Sequence, residues 1–293
     1  MRSERTTLIA WAFLAPALLY VLAIVAWPLV QTVILSFTDA SLRKTTDWVG
    51  SANYEKIFNA TFATVIVRTF IWTFFSVALK MIIGTCGAVL LNAAVPGRHL
   101  FRILIMPPWI VPMAIGIFMW GWMYNGQFGM ISGLLQRFGL VDGPVAFLAY
   151  GRSAFWATIV TDVWIGVPMV TIYFLAAMQA IPKDLYEAAW TDGASRWTRF
   201  RRITLPLMSP AIITMSMLSL IATFNSFDII WILTQGGPSG QTTTMIIDTY
   251  QVAIGSKKYG EGAARAVVIC IFLSLFCLAY FRVTRRLQGV DKA

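Results

Sequence analysis

Six stretches of this sequence are apolar for long enough to cross a lipid bilayer as a helix, which takes about 20 residues. They run Leu8–Ser36, Val65–Val95, Ile103–Tyr124, Phe155–Gln179, Leu207–Thr234 and Ala263–Phe281. The first is longer than the apolar run of about 7–15 residues in a cleaved signal peptide, so it is interpreted as a retained span. The sequence therefore predicts an all-α, polytopic membrane protein with six transmembrane helices, forming a single transmembrane domain over residues 1–293.

The composition agrees with a chain that lies in lipid. Hydrophobic residues make up 58% of the 293 residues and charged residues 12%, whereas soluble domains are about half apolar and about a quarter charged. The net charge of +10 does not indicate nucleic-acid binding, because the basic residues lie between apolar runs rather than on one soluble face. The three cysteines show no CxxC spacing, so neither a metal site nor a disulfide framework is predicted.

The basic residues outside the spans predict the orientation, because Lys and Arg concentrate in cytoplasmic loops. One side of the predicted membrane domain carries thirteen of them: Arg2, Arg5, Arg98, Arg102, Lys183, Arg196, Arg199, Arg201, Arg202, Arg282, Arg285, Arg286 and Lys292. The other side carries eight: Arg43, Lys44, Lys56, Arg137, Arg152, Lys257, Lys258 and Arg265. Both termini are therefore expected in the cytoplasm, in agreement with an even number of spans.

A polar segment, residues 182–206, lies between the fourth and fifth apolar stretches. Pro182 suits the first position of a helix, Gly193 permits a sharp change of direction, and Ser195 can cap a second short helix. Pro206 stands where the next span is expected to begin. The segment is thus predicted to form a helix, a turn and a second helix. Periodicity alone leaves open an ordinary basic loop.

The first of these helices is predicted to present a slim surface. Leu185, Ala188 and Ala189 fall at positions i, i+3 and i+4, so they share one helix face. Two alanines on that face would allow another protein to approach closely. The segment could therefore be a docking element.

The spacing of seven residues in the segment matches a known family pattern. The matching positions are Glu187, Ala188, Ala189, Gly193, Ile203, Leu205 and Pro206. Their order, EAA, three residues, G, nine residues, I, one residue, LP, resembles the EAA signature of bacterial ABC importer permeases at every fixed position. Longer stretches such as "GRHLFRILIMPPWIVPMAIGIFMW" and "FDIIWILTQGGP" resemble the carbohydrate branch of that family, which includes maltose-type and glycerol-phosphate-type permeases.

The resemblance implies an importer in the bacterial inner membrane. Such an importer combines two permeases, two copies of a cytoplasmic ATPase and an external substrate-binding protein, and the second permease is expected to be a similar, non-identical chain. The EAA segment is the family's coupling helix, which fits a cleft on the ATPase. The resemblance thus implies that this chain is the transmembrane subunit through which a sugar or sugar-like solute passes into the cytoplasm.

The chain shows no ATP site of its own. A Walker A loop requires a Gly-Lys dipeptide, and this dipeptide does not occur in the sequence. No HExxH or GxSxG pattern occurs either, so the chain is not expected to be an enzyme. No cofactor is expected in this chain, and the resemblance places ATP and Mg²⁺ in the partner ATPase.

Ionisable residues inside predicted spans are costly and often functional. Lys80 lies deep in the second span, and Asp162 and Asp228 are possible partners for it. Two explanations of a lysine at position 80 are equally good: it forms an ion pair that only packs helices together, or it contacts a substrate. Arg68, near the outer end of the same span, can reach the membrane surface and is given no role.

Two helix faces combine small and polar residues, as a packed or a water-lined surface would. They consist of Asp162, Ile165, Gly166 and Met169 in the fourth span and Ser219, Ala222, Thr223 and Ser226 in the fifth. Gly166 and Pro168 are expected to loosen the fourth helix. Helix packing without a ligand is the alternative explanation of both faces.

In the maltose-type permease, the sugar contacts match these two faces and, in the third span, Trp109 and Met113. A tryptophan ring can stack on a pyranose. This sequence differs from that permease at three of these positions, where it has the acid Asp162 and the aliphatic residues Met113 and Met169. The resemblance therefore implies a solute other than maltose, and it leaves open which of the two permeases holds it.

Two other functions were considered. An ion-coupled secondary transporter could use Asp162 or Asp228 to carry a proton or sodium ion, but such carriers often show inverted repeats, and none is visible here. A structural scaffold would not explain the buried acids. The ABC importer permease is therefore the leading hypothesis.

Overall fold

The computed structural model describes residues 2–42, 46–93 and 97–287. Across these residues the chain is mostly helical and contains no strand, and an isolated antiparallel bridge joins Thr38 to Trp48. This confirms the prediction of an all-α chain for the described part. Val95, the predicted end of the second span, and the basic residues Arg43, Lys44 and Lys292 lie outside the described residues.

Sixteen α-helices and three π-helical turns form the described chain. In the first part they are α1 Arg2–Val21, the turn Leu22–Ala26, α2 Trp27–Ser36, α3 Ala52–Ile57, α4 Ala60–Asn92, α5 Arg98–Ile105, α6 Pro107–Ile110, α7 Met113–Met123, α8 Met130–Arg137 and α9 Gly151–Gln179. The remainder are α10 Lys183–Thr191, α11 Arg196–Arg199, the turn Phe200–Thr204, α12 Leu205–Leu207, α13 Ser209–Phe224, α14 Asp228–Thr234, α15 Met245–Tyr250, the turn Gln251–Gly255 and α16 Tyr259–Leu287.

Among the described residues, four helices are long and apolar enough to cross a membrane: Trp11–Ser36, Ala60–Asn92, Gly151–Gln179 and Tyr259–Arg282. They correspond to the first, second, fourth and sixth predicted spans. A fifth candidate is the pair Arg196–Leu207 and Ser209–Phe224, which is bent by 66°. The structure thus supports several membrane crossings.

The third and fifth predicted spans are not continuous helices, which corrects the sequence prediction. The third is divided into α5, α6 and α7, and the break before α7 has extended backbone at Val111, the residue preceding Pro112. A residue before proline is driven away from helical backbone, and proline has no N–H to donate. The fifth is divided between α13, which ends at Phe224, and α14, which begins at Asp228.

The chain divides into two compact units. The first comprises residues 1–63 and 248–274, and the second comprises residues 64–247 and 275–293. In the first unit, the buried Asn53 side chain donates hydrogen bonds to the carbonyls of Ser36 and Thr38, at 2.9 and 2.7 Å. Arg265 Nε also lies 2.7 Å from Asp248 Oδ2 there. Polar contacts therefore connect the ends of the first unit's helices.

The second unit is organised around α9. Gly84 and Gly87 of α4 face this helix so closely that an added Cβ would stand 2.5 Å from Val170 Cγ1 and 2.9 Å from Thr171 Oγ1. Small residues allow this close approach of two membrane helices. Helix α9 runs unbroken through Pro168, so the loosening expected at Gly166 and Pro168 does not interrupt the helix.

Candidate functional site

A buried ion pair joins α4 to α9 in the second unit. Lys80 Nζ lies 2.8 Å from Asp162 Oδ2, and the two residues are 6% and 7% exposed. Lys80 Nζ also donates a hydrogen bond of 2.7 Å to Thr223 Oγ1 on α13. One ammonium group thus connects three helices. Asp162 is the partner, whereas Asp228, the other partner considered from the sequence, is exposed at the start of α14.

The ion pair is part of a polar stripe along α4 that sequence reasoning missed. Thr69, Thr73, Ser76 and Lys80 are all buried, and they recur at i, i+4, i+7 and i+11 on a largely apolar helix. The hydroxyls of Thr73 and Ser76 have no hydrogen-bond partner among the described residues. A buried unsatisfied hydroxyl costs about 1–3 kcal/mol. The helical spacing of these four polar residues was the sequence signal that could have revealed the stripe.

Gly166 lies against the stem of Lys80. A Cβ added at Gly166 would stand 2.4 Å from Lys80 Cδ, so only glycine leaves space for the lysine side chain in this position. The structure thus places Asp162, Gly166 and Thr223, all predicted site residues, around one lysine.

The other predicted substrate residues differ in exposure. Ser219 is buried near Thr223, one helical turn away, whereas Ile165 and Ser226 are half-buried and Met169 and Ala222 are exposed. The two predicted faces therefore have an inner part, which holds Lys80, and an outer part that remains accessible. Only the outer part could contact a solute without rearrangement of the helices.

Trp109 and Met113 lie in two separate helices of the broken third span, α6 and α7. Both side chains are exposed, at 58% and 44%. Helix α6, which contains Trp109, packs beside α9. A cavity of about 340 Å³ between these elements is lined by Pro108, Trp120 and Trp164, among others, but not by Trp109 or Met113.

Arg68, to which the sequence assigned no role, holds a loop in place. Its Nη1 donates hydrogen bonds to the carbonyls of Gly240 and Thr243, at 2.7 and 3.2 Å. The loop also has internal support, because Thr242 Oγ1 donates to the Gly237 carbonyl at 2.8 Å. Sequence reasoning missed this role since the two partners are backbone atoms more than 170 residues away along the chain.

The segment 182–206 forms two helical parts joined by a tight turn. Helix α10 begins after Pro182, and Gly193 follows it with φ of +76°. This left-handed backbone favours glycine. Ser195 Oγ then accepts a hydrogen bond of 3.1 Å from the backbone N–H of Thr198, as an N-cap does. The predicted helix, turn and capped helix are all present in the structure.

The second helical part is longer than expected. It continues through α11, the π-helical turn and α12 to Leu207, and the bend follows at Met208. Pro206 therefore lies inside the last turn of this part rather than at the beginning of the next span, which corrects the prediction.

The segment is joined internally by one hydrogen bond and attached to the second unit's core by two side chains. The hydroxyls of Tyr186 and Thr204 are 2.9 Å apart and join the two helical parts. Tyr186 and Ile203 pack against a core cluster that contains Phe174 and Met208. The segment is thus held firmly on one side.

The other side of the segment remains uncovered in the single chain. Glu187 and Ala188 are exposed, Ala189 and Leu205 are half-buried, and Pro206 is exposed. Large apolar side chains nearby are also uncovered, since Trp190 and Trp197 are 71% and 67% exposed. Such a surface is suited to contact with another protein.

Among the described residues, no group of three or more His, Cys, Asp or Glu side chains is placed to hold a metal ion.

Comparison with known proteins identifies the family. The model for "Binding-protein-dependent transport system inner membrane component" matches residues 93–289. The chain is 34% identical over 276 residues to a probable ABC transporter permease protein of Brucella suis biovar 1, which covers 92% of this chain and 94% of that protein. It is 35% identical over 285 residues to the trehalose/maltose transport system permease protein MalF of Thermococcus litoralis, covering 96% and 95%.

A solved structure shows the same fold. A chain of a bacterial alginate ABC transporter, solved in complex with an alginate pentasaccharide-bound periplasmic protein, has a TM-score of 0.86 and 20% identity, covering 98% of this chain and 97% of that one. The protein therefore belongs to the family of binding-protein-dependent transport system inner membrane components, the permease subunits of ABC importers, whose ATP is hydrolysed by a separate subunit.

Proposed function

We propose that this chain is one of two transmembrane subunits of an ATP-driven importer, and that it moves a sugar or sugar-like solute from an external binding protein into the cytoplasm. The relative from Thermococcus litoralis is named for trehalose and maltose, and the chain with the similar fold belongs to an alginate transporter. These likenesses support a carbohydrate as the solute.

The observation that carries the proposal is the geometry of segment 182–206. Tyr186 and Ile203 attach it to the core, while the EAA residues Glu187 and Ala188 face outward. A displacement of the outward face would therefore be transmitted to the membrane helices through packed side chains rather than through a flexible loop. We assign it as the coupling helix, with Glu187, Ala188, Ala189, Gly193, Ile203, Leu205 and Pro206 as the coupling residues.

The proposed topology has six membrane crossings with both termini in the cytoplasm of a bacterial cell. The four long helices provide four crossings, and the broken third and fifth stretches provide the other two. The excess of basic residues on the side of segment 182–206 supports this orientation. The loop held by Arg68 then lies outside, where the binding protein would meet it.

Four kinds of partner complete the importer. A second, similar but non-identical permease would pair with this chain, two copies of an ATPase would bind ATP and Mg²⁺, and an external protein would deliver the solute. Lipid is the fourth partner. It would surround the first span, in which large apolar side chains such as Phe13 and Leu19 are exposed.

The solute pathway is proposed to follow the accessible part of the two predicted faces. Ile165, Met169, Ala222 and Ser226 are positioned to contact the solute, with Trp109 and Met113 contributing from the third stretch. Asp162, Gly166 and Thr223 are turned to the buried side, where they position Lys80, and Ser219 is buried one helical turn from Thr223. Since Lys80 neutralises Asp162, this carboxylate is poorly placed to carry a coupling ion, which favours ATP as the energy source.

Reconstitution tests the proposal directly. The chain is purified with its partner permease and ATPase, placed in proteoliposomes, and supplied with a panel of binding-protein-delivered sugars. We expect uptake that requires ATP and persists without an ion gradient. Uptake that requires a gradient and ignores ATP would contradict the proposal.

A further inference from the structure

A second cavity lies between segment 182–206 and the ends of two long helices. It has a volume of about 430 Å³, within the range of about 300–1,000 Å³ that is usual for small-molecule sites. Val89 near the end of α4 and Met178 near the end of α9 form an apolar part of its wall, and Arg196 and Arg199 contribute two guanidinium groups. The cavity is therefore largely apolar toward the helices, apart from Asn92 at the end of α4, and positively charged toward the segment.

Both arginines lack an anionic partner in the described part of the chain. No carboxylate of a described residue forms an ion pair with either one. The Nε atom of Arg199 is buried and makes no hydrogen bond to any described residue. A buried guanidinium N–H without an acceptor is costly, so an anion within the cavity would remove an existing cost.

The other polar groups in the cavity wall suit an oxyanion. Tyr186 and Thr204 both line the cavity, and their hydroxyls are bonded to each other at 2.9 Å. The pair has one further O–H to donate, since each hydroxyl both donates and accepts. No acidic residue lines the cavity. Guanidinium groups bind phosphate by paired, charge-assisted hydrogen bonds.

We propose that this cavity binds a phosphate ester anion at the level of the membrane surface. Val89 and Met178 lie near the ends of two helices long enough to span the bilayer, so the arginines stand where phospholipid headgroups lie. Basic pockets at the cytoplasmic ends of membrane helices accept anionic lipid headgroups. That this end faces the cytoplasm rests on the proposed function. The phosphate could belong to an inner-leaflet lipid or to a soluble phosphate ester.

The ligand would connect the coupling segment to the membrane domain. Arg196 and Arg199 belong to the second helical part of the segment, whereas Val89 and Met178 belong to α4 and α9. A bound lipid would contact both the segment and the two membrane helices, so it would stabilise the segment in its present position. The EAA residues Glu187, Ala188 and Ala189 do not line the cavity, so the proposed ATPase contact and the anion site are separate.

The test measures binding to the delipidated importer, purified in neutral detergent with its partner subunits. Three probes are titrated by calorimetry: dioctanoyl-phosphatidylglycerol, dioctanoyl-phosphatidylcholine and glycerol 3-phosphate. The variant is the double substitution Arg196→Gln with Arg199→Gln. The matched control is Arg201→Gln with Arg202→Gln, which removes the same charge from exposed positions outside the cavity.

We expect phosphatidylglycerol to bind in preference to phosphatidylcholine. The 196/199 variant should weaken this binding by about tenfold or more, and the 201/202 control by less than about twofold. Binding of phosphatidylglycerol but not glycerol 3-phosphate identifies a lipid as the ligand, and equal binding of both identifies a soluble phosphate ester. Val89→Phe, which fills the apolar part, should weaken lipid binding and spare glycerol 3-phosphate.

Three results would overturn the proposal. One is equal weakening by the two double variants, which would show general surface attraction. Another is the absence of any preference for the anionic probes. The third is binding to the isolated chain that disappears when the ATPase is present, which would assign the arginines to an acidic group of that protein. Because the titrations use neither ATP nor solute, ATP-driven uptake by the same preparation tests the proposed function separately.

Discussion

Lys80 Nζ lies 2.8 Å from Asp162 Oδ2 in the interior of the second unit, and this pair connects the second and fourth predicted spans. Two charges removed from water are stable only as partners, so each residue depends on the other. The Thr223 hydroxyl adds a third helix to the same ammonium group. The contact therefore lies where a relative movement of these three helices would have to break it.

Breaking the pair on one side should destabilise the protein strongly. Asp162→Leu leaves a buried, unpaired ammonium, and Lys80→Met leaves a buried carboxylate, so each should cost about 3–5 kcal/mol. The double variant Lys80→Met with Asp162→Leu removes both charges and should recover most of the loss. Unfolding of the purified chain in detergent, arranged as a double-mutant cycle, measures the coupling. Additive losses would show that the two groups do not interact.

Thr223→Val should lower the stability while preserving the shape of the side chain. The substitution removes the acceptor of a 2.7 Å hydrogen bond from a charged donor, which is worth about 1.5–3 kcal/mol. Thr214→Val on the same helix is the matched control, because its exposed hydroxyl bonds only to the Pro210 carbonyl. Unfolding measurements should separate the two variants clearly. Equal effects would mean that the bond from Lys80 contributes nothing.

Gly166→Ala should disturb the ion pair through sterics. The new methyl group would stand 2.4 Å from Lys80 Cδ, so the lysine must move away from Asp162. We expect a net loss of about 1–3 kcal/mol, although alanine is otherwise favoured over glycine in a helix by about 1 kcal/mol. Gly133→Ala in α8, where nothing lies within 4 Å of the added atom, should be neutral or stabilising. The two variants are compared by thermal unfolding, and a harmless Gly166→Ala would contradict this arrangement.

Local features of segment 182–206 could be predicted from the sequence because they depend on neighbours along the chain. The turn at Gly193 and the cap at Ser195 each involve residues within a few positions. The break near Pro112 also has a sequence signal, since three prolines occur between residues 107 and 112, although the length of the apolar run alone predicts a continuous span.

The partner of Lys80 could not be chosen from the sequence. Asp162 and Asp228 are both acids in predicted spans, and the choice depends on how closely the helices approach. Gly84 allows α4 to pack against Val170 of α9 at short range, which brings Lys80 to Asp162. Such a distance is set by the packed surfaces of two helices and is not encoded in the periodicity of either one.

Gly193 should be replaceable by asparagine but not by valine. Its φ of +76° is left-handed, and nothing lies within 4 Å of an added Cβ, so backbone strain alone decides the outcome. Asparagine tolerates this conformation, whereas a β-branched residue does not. Strain of about 1–2 kcal/mol would reduce the population of the native turn by about 5- to 30-fold. ATP-driven uptake by reconstituted importers should fall accordingly in Gly193→Val, and uptake that is equal in both variants would argue against a coupling role for this turn.

The orientation of the chain can be tested with single cysteines at two exposed positions. Cys86, Cys270 and Cys277 are first replaced by serine, and either Asp192→Cys or Ser239→Cys is then introduced. Asp192 is preferred to Ser195, because the Ser195 hydroxyl caps a helix and its loss would disturb the segment.

The excess of basic residues predicts that residue 192 faces the cytoplasm and residue 239 the outside. With the chain expressed without its ATPase, a membrane-impermeant maleimide should label Asp192→Cys only in inverted vesicles and Ser239→Cys only in spheroplasts. Labelling of both after detergent treatment is the control for reactivity. The opposite pattern would place segment 182–206 outside the cell, where no ATPase could reach it, and the proposed coupling function would fail with the topology.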